Sequence, residues 1–279
     1  AKSSNELAKE TLRYALDRTN AARAGEMVGV KTGFHRVDEL TSGLHAPELT
    51  LVAAAPSMGK TSFLIAAAIN AGRLGQPGAV FSLEMTTRDL MTRAACSICS
   101  VPFEWVRTGR LGHRTGDFAT ALESLSRLPI WWDGLQANDP SATVPTVLDL
   151  MAKADRIGRE CLRHTGKKLA MIAVDYLQNV RPIIASRKES TREGQVAEIG
   201  KGLKLLALRT NTAVVAAAAI NREGLKDKDK NGQPRKPLVT DVRESGALDF
   251  IVDNVLLLHR DDYIHERTIS PGYDFPKDA

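Results

Sequence analysis

Cysteine is scarce in this chain: three in 279 residues, at positions 96, 99 and 161. So few thiols exclude a disulfide framework and fit a reducing, cytoplasmic compartment. Long apolar runs are absent too. No stretch approaches the roughly 18 uninterrupted apolar residues of a membrane span, and the start, AKSSNELAKE, lacks the charged-then-apolar layout of a secretion signal. No membrane partner is expected. Charge of one sign is not in great excess; the formal net charge of +5 is compatible with a polyanionic partner without singling one out. With 43% hydrophobic and 25% charged residues, the composition excludes a disordered tail or a collagen-like repeat and leaves a globular protein with a sizeable core. At about 150 residues per domain, the length allows one or two domains.

Cys96 and Cys99 do form a C-x-x-C. A zinc site needs two further ligands, and a thioredoxin-like motif needs exposed thiols at a helix start. The pair instead lies within the apolar run LMTRAACSICS, which favours buried helix cysteines.

Residues 5–24 carry Leu7, Ala8, Thr11, Leu12, Ala15 and Leu16 at mostly three- and four-residue spacing, which predicts one amphipathic helix. We therefore divide the chain into a helix over 1–24 and a domain over 25–279. The domain opens with a loop rich in Gly, Thr, Ser and His, with a short helix expected around Phe34–Leu40. Strand and helix signals then alternate. Strands are expected at Leu49–Ala55, Ala79–Leu83, Leu169–Val174, Ala213–Ile220 and Phe250–His259, and helices at Thr61–Ala71, Arg88–Ser100 and Gln195–Leu208. Continuously apolar strands such as LAMIAV and TAVVAAAAI belong at the centre of a parallel sheet, and Val196, Ile199, Leu203 and Leu206 give the last helix one apolar face. The fold class is α/β, with a mostly parallel central sheet and helices on both faces. Two polar, basic stretches, Leu177–Arg192 and Asn221–Arg243, follow neighbouring strands, where such folds hold their ligands.

Between the first strand and its helix stands AAPSMGKT, residues 54–61. It matches G-x-x-x-x-G-K-[ST] except that Ala54 replaces the first glycine. In such a loop the backbone N–H groups of Pro56, Ser57, Met58, Gly59, Lys60, Thr61 and Ser62, so far as each has one, face phosphate. Lys60 neutralises the β and γ charges and Thr61 supplies a hydroxyl to Mg²⁺. A phosphate cradle is completed by carboxylates at strand ends. Asp175 closes LAMIAV, where an acid holds the magnesium shell, and Glu84 closes AVFSL, from which it can orient a water. Alone, either acid also reads as an ordinary strand-end carboxylate.

The runs AAPSMGKT, FSLEM, VDYLQ, KGLKLLA and VRESGALDFIVDNVLLLHRD, together with TGFHRVDELTSG and RTGRL, closely resemble the successive motifs of the DnaB family of replicative helicases. The resemblance runs from the N-terminal helix to Arg260. It implies a RecA-like P-loop NTPase domain that assembles as a ring, usually a hexamer, around single-stranded DNA and is driven by ATP with Mg²⁺. It implies Lys60 and Thr61 as phosphate and magnesium residues, Glu84 as the catalytic carboxylate and Asp175 as the Walker-B acid. Arg93 stands where the family has an arginine after that glutamate. Arg243, Glu244 and Gly246 resemble the loop that grips the DNA backbone, and the N-terminal helix resembles one that docks on the adjacent subunit. Primase and a helicase loader are the further partners the resemblance suggests.

Lys226, Lys228, Lys230, Arg235, Lys236 and Arg243 are basic, and no aromatic residue lies among them to stack a base, so contact with phosphate, blind to sequence, is expected. Asp227 and Asp229 interrupt the run, which favours solvated lysines and leaves Arg243 and Gly246 as the stronger candidates. Arg181, Arg187, Lys188 and Arg192 present the same choice between a pore lining and simple exposure. The chain also departs from the family. Ala219 stands where a glutamine usually senses the γ-phosphate, with Asn221 the nearest polar substitute. The family's last strands, its basic arginine-finger motif and its separate N-terminal domain lie outside the sequence. A motor domain that binds nucleotide better than it turns it over is the expectation.

Overall fold

The computed structural model describes residues 2–24, 27–136, 144–182, 192–220, 235–242, 248 and 250–260. Strand signals become β1 (Leu49–Ala54), β2 (Gly78–Thr86), β3 (Ile130–Leu135), β4 (Met171–Asp175), β5 (Ala213–Ala219) and β6 (Asn254–Leu257). Around them lie α1 (Ser4–Arg23), α2 (His35–Thr41), α3 (Lys60–Arg73), α4 (Thr87–Cys99), α5 (Phe103–Arg107), α6 (Thr115–Ser126), α7 (Val147–Thr165) and α8 (Arg192–Thr210). The six strands form one sheet in the order β3-β2-β4-β5-β1-β6, and every neighbouring pair is parallel.

Parallel strands are joined by crossovers that cover both faces, so inner strands are apolar along most of their length. β5 meets this demand residue by residue. Val214, Ala216 and Ala218 pack with α7 and α8 on one face, whereas Ala213, Val215 and Ala217 pack with α3 on the other. The predicted stripe on α8, Val196, Ile199, Leu203 and Leu206, is almost wholly buried against the first face. Gly202 lies beside it because α7 comes close: a Cβ there would sit 2.6 Å from a methyl of Val147. Ile65 and Ile69 of α3 instead join Leu90, Ala94 and Ala95 of α4 and Ala121 and Leu125 of α6 in a second layer. Cys96 is buried on α4 and Cys99 half-buried, both free thiols, and burial raises the Cys96 thiol above its ordinary value.

The sheet's far edge is tied to its centre by charge. Asp253, just before β6, accepts the N–H of Leu49 at 2.7 Å and the Lys204 ammonium at 2.6 Å. Lys204 also donates to the Pro47 carbonyl. In the segment before β1, Asp38 is buried and accepts from the Thr32 N–H, the Thr32 hydroxyl and the Gly33 N–H. Phe34 stacks on Phe63 of α3 with ring centroids 4.6 Å apart. The TGFHRVDELTSG run is thus a clamp on the helix that follows the phosphate loop.

The helix predicted over 5–24 is present as α1. Its start is a capping box, with the Ser3 hydroxyl accepting from the Glu6 N–H and the Glu6 carboxylate accepting from the Ser3 N–H. None of its residues is buried, and Leu7, Leu12, Tyr14 and Leu16 are more than half exposed. Arg18 reaches the domain, donating to Nδ1 of His45, whose Nε2 in turn donates to the Thr41 carbonyl.

Candidate nucleotide site

The chain leaves β1 at Ala54 and must reverse direction before α3 begins at Lys60. Two residues make that reversal with left-handed backbone, Ser57 at φ 64° and Gly59 at φ 98°. Glycine adopts such a conformation without the Cβ penalty, and no atom lies within 4 Å of where a Gly59 Cβ would be. The turn therefore presents an open backbone surface at the N-terminus of a fourteen-residue helix, where unpaired N–H groups and the helix dipole attract anions. Pro56, Ser57 and Ser62 are exposed on it, whereas Met58 is buried and anchors the loop.

Lys60 folds back over this turn, its ammonium donating to the carbonyls of Ala54 at 2.9 Å and Ala55 at 3.0 Å. Burial pulls its pKa below the ordinary 10.5, while the negative charges of Asp175 and Glu84 act in the opposite direction. Thr61 donates its hydroxyl to Oδ2 of Asp175 at 2.8 Å. Asp175 is 2% exposed. Burial raises its carboxyl pKa above the ordinary 3.8, the Thr61 hydrogen bond opposes that, Glu84 adds to it, and Lys60 and Arg93 lower it.

Sheet register explains why these groups meet. Ser82 on β2 is the partner of Asp175 on β4, so Glu84 lies two residues beyond it at the same end of the sheet, exposed. β5 separates β4 from β1, and Ala219 is the partner of Ala54. Lys60, Thr61, Asp175 and Glu84 thereby lie at the carboxyl ends of the strands, near enough for the charges of Asp175 and Glu84 to act on Lys60. Arg93, on α4, is exposed with its guanidinium over the Phe103 ring at 4.7 Å, and its field reaches Asp175. The donor set fits a magnesium-bound nucleotide. A hydroxyl and a carboxylate are hard oxygen ligands, and no group of three or more His, Cys, Asp or Glu side chains suited to a metal occurs among the described residues. Mg²⁺ is commonly held this way, by few protein oxygens with phosphates and water completing its shell.

Arg243, Glu244 and Gly246 lie outside the described residues, as do Asn221, Lys226, Lys228, Lys230, Arg187 and Lys188. What leads to them is described. Ile220 forms an antiparallel bridge with Val242, the residue before Arg243. Arg235 makes a two-pronged pair with the buried Asp241 carboxylate at 2.6 and 2.7 Å, holding that carboxyl well below its ordinary value, so this arginine has a structural partner within the chain. Lys236 and Arg181 are exposed. Two contacts are not signalled by motif chemistry: the Phe103 ring beneath Arg93, and Gln178, which bonds the backbone of Ala219. Gln178 stands within VDYLQ, but only strand order discloses what it touches.

A parallel α/β sheet with a lysine-bearing loop between β1 and α3, and a strand-end acid bonded to that loop's threonine, defines a P-loop nucleotide-binding domain of the RecA type. Comparison with known proteins narrows the class. The profile of the DnaB-like helicase C terminal domain matches residues 29–273, and the chain belongs to that family. It is 35% identical over 246 residues to the replicative DNA helicase DnaB of Geobacillus stearothermophilus, covering 88% of this chain and 50% of that protein. It is 33% identical over 248 residues to the replicative DNA helicase DnaC of Bacillus subtilis (strain 168), with the same coverage. The chain therefore spans about half the length of these curated relatives. Among solved structures, an isolated ATPase domain superposes with a TM-score of 0.79 at 26% identity, covering 94% of this chain and 86% of that one. A DnaB-like replicative helicase, described with its interactions with primase, superposes with a TM-score of 0.77 at 26% identity over 94% of this chain and 58% of that one. No helix among the described residues is long and apolar enough to cross a membrane.

Proposed function

We propose that this chain is the ATP-hydrolysing motor domain of a replicative DNA helicase, moving along single-stranded DNA. The observation that supports the proposal is the placing of Lys60, Thr61, Asp175 and Glu84 at the same end of the sheet, with Thr61 bonded to Asp175 and both acids acting on Lys60. The backbone of Ser57 to Ser62 cradles the triphosphate. Lys60 exchanges its two carbonyl partners for phosphate oxygens, Thr61 and Asp175 hold Mg²⁺, and Glu84 orients a water for in-line attack while Arg93 supports the site. Bound magnesium supplies charge neutralisation at the β and γ oxygens.

Arg243, Glu244 and Gly246 are the proposed DNA contacts, made to phosphate rather than to bases. The uncovered stripe of α1 supports reading it as a helix that docks on a neighbouring copy in a ring, hexameric by likeness to the family. The same likeness makes primase or a loader candidate partners, and three free thiols suit a cytoplasmic setting. One observation favours a second reading, a nucleotide-gated DNA-binding module with little turnover: Ala219 offers no side chain to sense the γ-phosphate.

The test is ATP hydrolysis by this chain with and without single-stranded DNA. Stimulation that disappears in Lys60→Ala supports the motor. No hydrolysis, with a nucleotide-dependent change in DNA affinity, supports the gated module. DNA binding indifferent to both nucleotide and Lys60→Ala removes both readings.

A further inference from the structure

Residues 177–179 form a single 3₁₀ turn directly after β4 and Asp175. Two of its side chains reach sideways, in opposite directions. Asn179 donates from Nδ2 to the carbonyl of Leu83, the residue before Glu84 on β2, at 3.4 Å. Gln178, only 7% exposed, turns toward β5: its Oε1 accepts the Ala219 N–H at 3.2 Å and its Nε2 donates to the Ala219 carbonyl at 3.5 Å. A single hydrogen bond allows a side chain to pivot, whereas two opposed bonds from one planar amide fix its orientation, so a displacement of the turn is passed to the strand end. Ala219 carries only a methyl group, and any grip on this point of β5 must be taken on its backbone.

The grip stands in a continuous bonded route. At one end is the Thr61 hydroxyl on Asp175, the two residues whose oxygens would face a bound divalent ion. Asp175 leads within three residues to Gln178, and Gln178 leads to Ala219. Ala219 is the register partner of Ala54, whose carbonyl holds the Lys60 ammonium. The next residue, Ile220, bridges Val242. From Ile220 and Val242 the chain enters the segments 221–234 and 243–247, which carry the basic residues discussed above.

We infer that Gln178 is a positioning residue that couples the state of the Thr61–Asp175 centre to the end of β5, so that bound nucleotide alters the grip on single-stranded DNA. The inference rests on the motor reading and adds to it the residue through which the two sites communicate. Coupling of this kind is a free energy shared by both ligands and is measurable from either side.

The experiment measures binding of a fluorescent oligothymidylate to the 279-residue chain, with and without Mg²⁺ and a non-hydrolysable ATP analogue. The parent's DNA affinity changes roughly fivefold or more on adding the analogue. Gln178→Met keeps the side-chain volume and removes both bonds. In it, analogue affinity and nucleotide-free DNA affinity each stay within about twofold of the parent, while the nucleotide-dependent change falls below about twofold. A Gln178 that merely props the fold would lower thermal stability and both affinities together and leave their ratio intact, which overturns the inference. Gln178→Glu keeps the acceptor for the Ala219 N–H and loses the donor. It decides the matter alone if the methionine variant fails to fold, a reduced change supporting the inference and an undiminished one refuting it. A parent whose DNA affinity ignores nucleotide removes the inference and the gating of DNA by nucleotide together, whereas a responsive parent matched by both variants removes the inference only.

Discussion

Thr61 and Asp175, 114 residues apart in sequence, are joined by a 2.8 Å hydrogen bond that links the start of α3 to the end of β4 across the intervening β5. The bond joins the 54–61 loop to the acid that closes β4.

Lys60 and Glu84 have different work in the proposed site, and substitution distinguishes them. Lys60→Ala removes the charge facing the β and γ phosphates, so nucleotide affinity falls by about tenfold or more, roughly the worth of one charge-assisted hydrogen bond. Glu84→Gln leaves affinity near that of the parent and lowers turnover by about 10²-fold or more. Titration with a fluorescent nucleotide and a steady-state hydrolysis assay read the two effects. Equal loss of binding in both variants contradicts the division of roles.

Asp175 gives a pH signature. Its folded-state pKa is raised above the ordinary 3.8, chiefly by burial. A raised pKa means that the folded state prefers the protonated carboxyl. That preference stabilises fully below the unfolded value and is lost as pH rises through the folded one. At neutral pH the buried carboxylate therefore costs stability, and Asp175→Asn melts at a higher temperature than the ligand-free parent. The gap closes as pH falls below the ordinary carboxylate range. Adding Mg²⁺ and nucleotide reverses the order, because only the parent gains the full metal contact. Thermal melts from about pH 4 to 8 check both signs.

Arg243→Ala weakens binding to single-stranded DNA alike for oligothymidylate and mixed-sequence oligonucleotides, and reduces the slope of log affinity against log salt by about 0.7. Salt titrations by fluorescence anisotropy measure this. A defect confined to one sequence would mean that the arginine reads a base.

Asp253→Ala removes the acceptor for the N–H of the buried Leu49 and the partner of Lys204. The loss is about 2 kcal/mol, the scale of a hydrogen bond to a charged group. Urea unfolding with an unchanged slope and a lower midpoint is the expected result. A midpoint equal to the parent's denies Asp253 its role in joining β6 to β1.

How much was legible before the coordinates follows from what each element has to satisfy. The inner strands are readable because a parallel strand covered on both faces is apolar along most of its length, as β5 is throughout and β4 is up to Asp175. The stripe on α8 and the loop at 54–61 follow from helical period and from phosphate chemistry. β3 escaped because Asp133 and Gly134 interrupt its apolar run and its residues are only half-buried at the sheet's edge. The strand expected over Phe250–His259 shrinks to Asn254–Leu257, since Phe250 is 92% exposed and Asp253 is engaged in bonding Leu49. Gln178 could not have been singled out, because its partner is a backbone group of an alanine whose proximity depends on strand order. Arg235 looked like one more loop cation until Asp241, six residues on, was seen to hold it.

The position of β1 between β5 and β6 bears on how the molecule comes into being on the ribosome. Along the chain, the strand that launches the phosphate loop precedes both of its ladder neighbours, with β2, β3 and β4 lying in between. Until Ala213–Ala219 emerges, Leu49–Ala54 has no edge to join, and closing so long a loop carries an entropic cost that grows with the logarithm of its length. The backbone pairing that aligns Ala54 with Ala219 therefore forms only after the loop at 54–61 and the acid at 175 have both been made.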